Sequence, residues 1–311
     1  MTLHPVVAEL LEQLERSGAP PLSAGTPQAA RAADDAAPKP TGDPVHRVKD
    51  MVVPGPDGPL PVRVYHPDDR PDRPIVVFFH GGGWVLSSVD GHDSLARRLA
   101  LESGAIVVSV EYRLAPEHPF PAPHEDCWAA TTWVAENAGS LGGRPGLLAV
   151  AGDSAGGNLA AGVALRARDE GLALAFQLLI YPCIDDIQSR PSMTENATGY
   201  FLTATDMAWF WDRFVPPEHR DNPYAVPARA ADVSGLAPAL IQTAQYDPLR
   251  DEGAEWGSRL AAAGVPCTVT DYGGMIHGFV SRWEQIPPAA DAHVEAGAAL
   301  RSAFAALPDT A

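Results

Sequence analysis

Short continuous apolar runs alternate with helix-length segments over most of the chain, and that alternation sets the fold class. The runs are Ile75–Phe79, Ile106–Val110, Leu147–Ala151, Phe176–Ile180, Ala239–Ala244 and Cys267–Thr270. Helical segments fall between and after them, near 91–103, 122–138, 156–170, 250–263 and 288–306. A strand covered on both faces has no polar side and reads as an unbroken apolar run, whereas a half-exposed strand alternates. The pattern predicts an α/β protein with a mostly parallel central sheet and helices on both faces.

Four regions depart from this rhythm. Val6, Val7, Leu10, Leu11 and Leu14 stand at helical spacing and predict a short amphipathic helix over 5–16. Residues 18–44, rich in Ala, Pro, Gly and Asp, read as a loop or mobile connector. Strand-like pieces at 45–53 and 60–66 flank the turn sequence Pro54–Gly58 and predict an antiparallel hairpin. Residues 183–235 carry no clear strand, yet Tyr200, Phe201, Trp209, Phe210, Trp211 and Phe214 crowd within them. An aromatic insertion between two sheet strands is a candidate lid over the strand ends.

Chemistry enters at the ends of the apolar runs. Gly152-Asp-Ser154-Ala-Gly156 fits GxSxG, with the run Leu147–Ala151 leading in and a helical segment leading out. A strand–turn–helix elbow needs small neighbours, because the serine is held in a strained turn with its hydroxyl raised above the sheet. The plain alternative is a glycine-rich turn without chemistry. His80-Gly-Gly-Gly-Trp84 closes the run Ile75–Phe79, and glycines there leave backbone N–H groups open to a ligand. With the N–H of Ala155 they could form the donor set that an acyl-transfer oxyanion requires. A phosphate cradle competes for that loop, but the chain has no GK[ST] or GxGxxG; a flexible loop is the bland reading. His80 is expected to orient the loop by hydrogen bonding.

A serine hydroxyl needs a base, and the base an orienting carboxylate. Asp247 follows the run Ala239–Ala244, and His277 follows Cys267–Thr270. Ser154, Asp247, His277 is the chain order of an α/β-hydrolase triad. Asp247 before Pro248 is also a good helix cap, and Asp251 is the nearest substitute acid. Other histidines, including His4, His66, His219 and His293, are expected to be solvated.

Composition narrows the field further. The chain has 311 residues, 46% of them hydrophobic, enough for one large core. A net charge of −17 with no basic tract argues against nucleic acid or an anionic membrane surface as partner. Three scattered cysteines, Cys127, Cys183 and Cys267, give neither a disulfide framework nor a zinc spacing. The first residues lack the basic and apolar regions of a signal peptide, and no run of about 18 apolar residues could span a bilayer. These features predict a cytoplasmic protein that inserts into no membrane.

Five motifs taken together carry a family resemblance: His80-Gly-Gly-Gly-Trp84, Tyr112-Arg-Leu-Ala-Pro-Glu117, Gly152-Asp-Ser-Ala-Gly-Gly-Asn158, Asp247-Pro-Leu-Arg-Asp-Glu252 and Met275-Ile-His277-Gly-Phe279. In this order, over about 45–305, the chain resembles the hormone-sensitive-lipase family of bacterial carboxylesterases, in the branch with an acidic residue before the serine. The resemblance implies an α/β-hydrolase core over 45–182 and 236–311. Its helical cap would combine residues 1–44 with the insertion 183–235. It implies Ser154 as nucleophile, His277 as base and Asp247 as acid, with Gly82, Gly83 and Ala155 as the oxyanion hole. Neither metal nor cofactor is required, the partner is a small-molecule ester, and homodimers are frequent in the family.

Amidase or formamidase chemistry on the same triad is the second enzymatic reading, since kynurenine formamidases of this fold share an HGG-type loop ending in Trp. A small-molecule receptor is the alternative from another class, but the receptors that resemble this family lack the histidine that stands here at His277. Trp84, Tyr200, Phe201, Trp209, Phe210 and Phe214 are expected to enclose an apolar pocket for short-to-medium acyl esters; the competing reading makes these rings the lid's own core.

Overall fold

A computed structural model describes residues 2–18 and 20–307. The outermost residues of the predicted 1–44 and 236–311 segments, and Ala19 within the first, lie outside the described residues. The described chain forms one eight-stranded sheet. Its strands are β1 (Arg47–Gly55), β2 (Gly58–His66), β3 (Arg73–Phe79), β4 (Ile106–Val110), β5 (Gly143–Asp153), β6 (Phe176–Ile180), β7 (Ala239–Tyr246) and β8 (Cys267–Ile276), in spatial order β1-β2-β4-β3-β5-β6-β7-β8. β1, β2 and β4 pair antiparallel; from β4 to β8 every pairing is parallel.

Side-chain alternation along the strands feeds two cores. Ile75, Val77 and Phe79 of β3 face one side with α4 (Ala122–Asn137), α5 (Ala155–Glu170) and α8 (Arg250–Ala262). Val76 and Phe78 face the other, under α3 (Asp93–Ser103) and α9 (Pro287–Ala305). Both faces are dry, which is why these strands read as unbroken apolar runs. None of the described helices is long and apolar enough to cross a membrane.

The N-terminal region differs from its prediction. The helix expected over 5–16 is α1 (Pro5–Ser17), but the connector expected over 18–44 contains a 3₁₀ turn (Leu22–Ala24) and a second helix, α2 (Pro27–Ala36). Thr26 caps α2 by accepting from the N–H of Ala29, and Pro27 opens it. Alanines carry this helix, so its buried face leaves little periodic trace. The hairpin turn is tighter than expected, with Gly55 paired to Gly58.

β8 also outruns its apolar pattern. Gly273 and Gly274 hide the continuation, but the strand stays paired to β7 past an irregularity between Ala244 and Tyr246. Gly274 sits there with φ 76 and donates its N–H to Gln245. In the 183–235 interval are α6 (Pro191–Glu195) and α7 (Ala204–Phe214), with no described strand. Ser23 of the N-terminal region donates its N–H to Asp206 of α7 at 3.0 Å, joining two segments far apart in sequence.

Candidate active site

Three parallel strands deliver three side chains to one end of the sheet. Ser154, Asp247 and His277 are each the first residue beyond β5, β7 and β8. Tyr246 pairs with Ile276, so Asp247 and His277 leave the sheet side by side. Ser154 is held from the neighbouring strand, donating its N–H to the carbonyl of Ile180 at 2.8 Å. Ligands of α/β sheets bind at this carboxyl end.

Ser154 has φ 55 and ψ −118, a costly conformation for a residue with a side chain. The turn closes only because its neighbours are small. A Cβ on Gly156 would overlap the carbonyl of Phe79, and one on Gly152 would overlap the backbone of Gly156. The elbow aims the Ser154 hydroxyl at His277, whose Nε2 lies 2.9 Å from Oγ. On the far side of the ring, Nδ1 lies 2.6 Å from Asp247 Oδ2. Ser154 and His277 keep 8% and 7% of their surface, and Asp247 none.

Asp247 serves both His277 and the turn before α8, although the cap residue of that helix is Leu249. Oδ2 meets His277, while Oδ1 accepts the N–H of Leu249 at 2.8 Å in the turn before α8. Asp251 is turned elsewhere, accepting the N–H of Ser192 and pairing with Arg250. It is not available to His277. Behind the ring, Tyr181 packs at 4.5 Å. Its position at the end of β6, next to the elbow strand, was the one available clue to that role.

The glycine loop follows β3, the strand beside the elbow strand, and Gly81 donates its N–H to Asp153 next to Ser154. Gly82 and Gly83 have φ 111 and φ 59, where a side chain would be strained. Among the described residues their N–H groups meet no acceptor. Ala155 opens α5, so its N–H is one of those a helix leaves unpaired. His80 does orient the loop: its ring stacks on Tyr112 at 4.3 Å, and the Tyr112 hydroxyl donates to the His80 carbonyl at 2.7 Å. Burial pushes the imidazole of His80 down to about 3, so it stays neutral. No group of three or more His, Cys, Asp and Glu among the described residues is arranged to hold a metal ion.

Residues 76–281 match a family model described as alpha/beta hydrolase fold. Esterase LipI and carboxylesterase NlhH, both of Mycobacterium tuberculosis, are each 47% identical to this chain, over 83% of it and 83% of their own length. A hyperthermophilic esterase from Pyrobaculum calidifontis superposes with a TM-score of 0.89 at 42% identity, covering 97% of this chain and 99% of that one. The chain belongs to the hormone-sensitive-lipase-type carboxylesterases of the α/β-hydrolase fold. Like them it is a carboxylic ester hydrolase.

Within this carboxylesterase the six predicted pocket aromatics part company. Trp84 and Phe214 are fully buried and stacked on each other at 4.2 Å, with Trp211 against Trp84 at 4.5 Å. Both rings are enclosed by their neighbours and show no accessible surface. Phe210 packs directly on Gly83, leaving no room for a Cβ there, and Trp209 stands edge-on to Phe210 at 5.1 Å. Tyr200 packs on Tyr246 at 5.0 Å. Phe201, 53% exposed, lies beside Gly278, next in the chain to His277.

Other sequence expectations also need correction. His66 and His293 are buried, not solvated. His66 meets the carbonyl of Leu141 at 2.9 Å, and His293 that of Val280 at 2.9 Å. Sequence reasoning also missed Cys183, whose buried Sγ lies 3.9 Å from Ser154 Oγ, and the contact between Asp153 and His92. Cys183 had one signal, its place just past the strand beside the elbow strand; His92 had none.

Proposed function

We propose that Ser154 attacks the ester carbonyl while His277 Nε2 takes its proton, with Asp247 holding the imidazole in the tautomer that accepts at Nε2. The unbroken hydrogen-bond chain Oγ–Nε2, Nδ1–Oδ2 on a strained elbow carries this reading. The N–H groups of Gly82, Gly83 and Ala155 stabilise the oxyanion of the tetrahedral intermediate. His277 then protonates the departing alcohol, leaving an acyl group on Ser154. A water activated by the same imidazole releases the acid and restores the serine.

The preferred substrates are short-to-medium acyl esters. Phe210 against Gly83 closes one side of the oxyanion loop with an apolar ring. Each buried methylene gains about 0.8 kcal/mol until the space is filled, after which a longer chain must displace packed rings. In the same reading residues 1–44 and 183–235 form one cap over the core at 45–182 and 236–311, supported by the Ser23–Asp206 bond. Three free cysteines suit a reducing cytoplasm. The homodimer is testable by light scattering, β8 being an edge strand with Val269 exposed.

Two measurements test the core of the proposal. Ser154→Ala is expected to fold and to lose on the order of a million-fold in kcat. Among acetyl, butyryl, octanoyl and palmitoyl esters of one alcohol, the rate is expected to peak before palmitoyl. Wild-type turnover in the serine variant would remove Ser154 from the mechanism, and a palmitoyl maximum would overturn the acyl-length reading alone.

A further inference from the structure

We propose that the buried Asp153 and the partly buried His92 form a second Asp–His pair that holds the two halves of the oxyanion hole in register, positioning the donors without moving a proton. The inference rests on Gly82, Gly83 and Ala155 being those donors. They come from two separate stretches of chain, the loop after β3 and the elbow after β5. Donors of this kind work only when held within about 0.5 Å of their productive places, so something must tie loop to elbow.

Asp153 is that tie. It is the chain neighbour of Ser154, and its Oδ1 accepts the N–H of Gly81 at 2.9 Å. Gly81 has no room for a Cβ because this carboxylate lies against it. The same carboxylate faces His92 Nε2 at 3.2 Å and 3.3 Å through its two oxygens. His92 Nδ1 lies 3.1 Å from Ser87 Oγ, at the far end of the glycine loop, where Ser87 has φ 71. Inside that span Leu86 and Val85 donate their N–H groups to the Gly82 carbonyl. The series Ser154, Asp153, His92, Ser87 therefore grips the loop at both ends.

The charges suit a permanent pair. Burial pulls the His92 imidazole down, but the Asp153 carboxylate outweighs this and leaves it above the ordinary histidine value. Burial pushes Asp153 up, and His92 together with the Gly81 N–H brings it below the usual carboxylate range. His80, whose ring centre is 5.4 Å from that of His92, is neutral and offers no competing cation. Neither Asp153 nor His92 has a hydrogen bond to the Ser154 hydroxyl or to His277 among the described residues, so both are positioning residues.

The test compares Asp153→Asn and His92→Gln with the wild-type protein. The first keeps an acceptor for Gly81 but removes the charge; the second keeps a donor. Readouts are kcat and KM for p-nitrophenyl butyrate, the acid limb of the pH–rate profile, and affinity for an aryl trifluoromethyl ketone, whose Ser154 hemiketal oxyanion needs the same donors. Both variants are expected to lose about 10–100-fold in kcat, since a displaced donor forfeits part of the roughly 10²–10³ that a missing one costs. Ketone affinity should fall by the same factor, with KM within about twofold and the acid limb unmoved. Folded variants with wild-type kcat and ketone affinity would overturn the proposal. So would a kcat loss with a shifted acid limb and intact ketone affinity, which would assign Asp153 to tuning His277. If Asp153→Asn does not fold, His92→Gln decides by the same readouts. A wild-type protein inert to both ester and ketone would instead refute the hydrolase reading.

Discussion

The carboxyl end of the sheet and the helical region around 183–235 are built on different principles. In the first, position comes from the backbone: Ser154, Asp247 and His277 are the residues at which three parallel strands end, and ladder register brings them together. In the second, position comes from side chains. Trp84 stacks on Phe214, Phe210 covers Gly83, and Asp206 accepts the N–H of Ser23. Arg31 of α2 adds bonds to the carbonyls of Val85 and Ala115 and an ion pair with Glu117. A backbone ladder tolerates substitution and keeps its geometry, whereas a side-chain assembly changes shape when one ring changes. In the proposed mechanism the chemistry rests on the first.

This contrast is most sharply tested at Asp247. Asp247→Asn keeps an acceptor for the turn before α8 but favours the wrong tautomer of His277. The expected loss in kcat is about 10⁴-fold, with thermal stability little changed. Full activity would return Asp247 to the role of a turn residue.

Phe214→Ala probes the opposite kind of site. Truncating a fully buried ring costs about 3–5 kcal/mol, read as a lower midpoint in denaturant. Activity on an acetyl ester, corrected for the folded fraction, should fall far less than in the Asp247 variant. An equal loss would mean that the two regions are not separable.

Gly83→Ala tests their junction. The new methyl meets the Phe210 ring at a backbone conformation that disfavours side chains, so kcat should fall by about 10²–10³, as when an oxyanion donor is lost. Phe210→Ala in the same chain should restore part of it, measured as a non-additive double-mutant cycle. Strict additivity would mean that the Phe210 ring does not cause the loss at Gly83.

The smallest effect expected is on stability against pH. His124 and His293 lie on opposite faces of the sheet, and burial pushes each down to about 4. Folded, they stay neutral, while in the unfolded chain an ordinary histidine protonates below about pH 6.5. The unfolded state therefore binds more protons in this window. Stability should fall as pH drops from about 6.5 and level off near 4, by on the order of 1–3 kcal/mol per histidine. His293→Gln can still donate to Val280 and should flatten that slope, measured by thermal melts at several pH values. An unchanged slope would mean that other groups control the acid side.

What could be read in the chain alone follows the same division. All six strands announced by apolar runs are present. Ser154, Asp247 and His277 stood out because each follows such a run, and a strand end is a local feature of sequence. The helix α2 escaped because alanine buries without leaving a periodic signature. The extent of β8 was obscured by two glycines that serve an irregular ladder with β7.

Local pattern by itself determined the fold class, the elbow and the order of the triad, because each is encoded in a few consecutive residues whose neighbours act through the backbone. Which aromatic rings face open space, and that Asp153 meets His92, only the tertiary structure decided. Burial and pairing there depend on segments far apart in the chain, 61 residues in the case of His92 and Asp153, and no local rule links Trp84 to Phe214 or His92 to Asp153 before the chain has closed on itself.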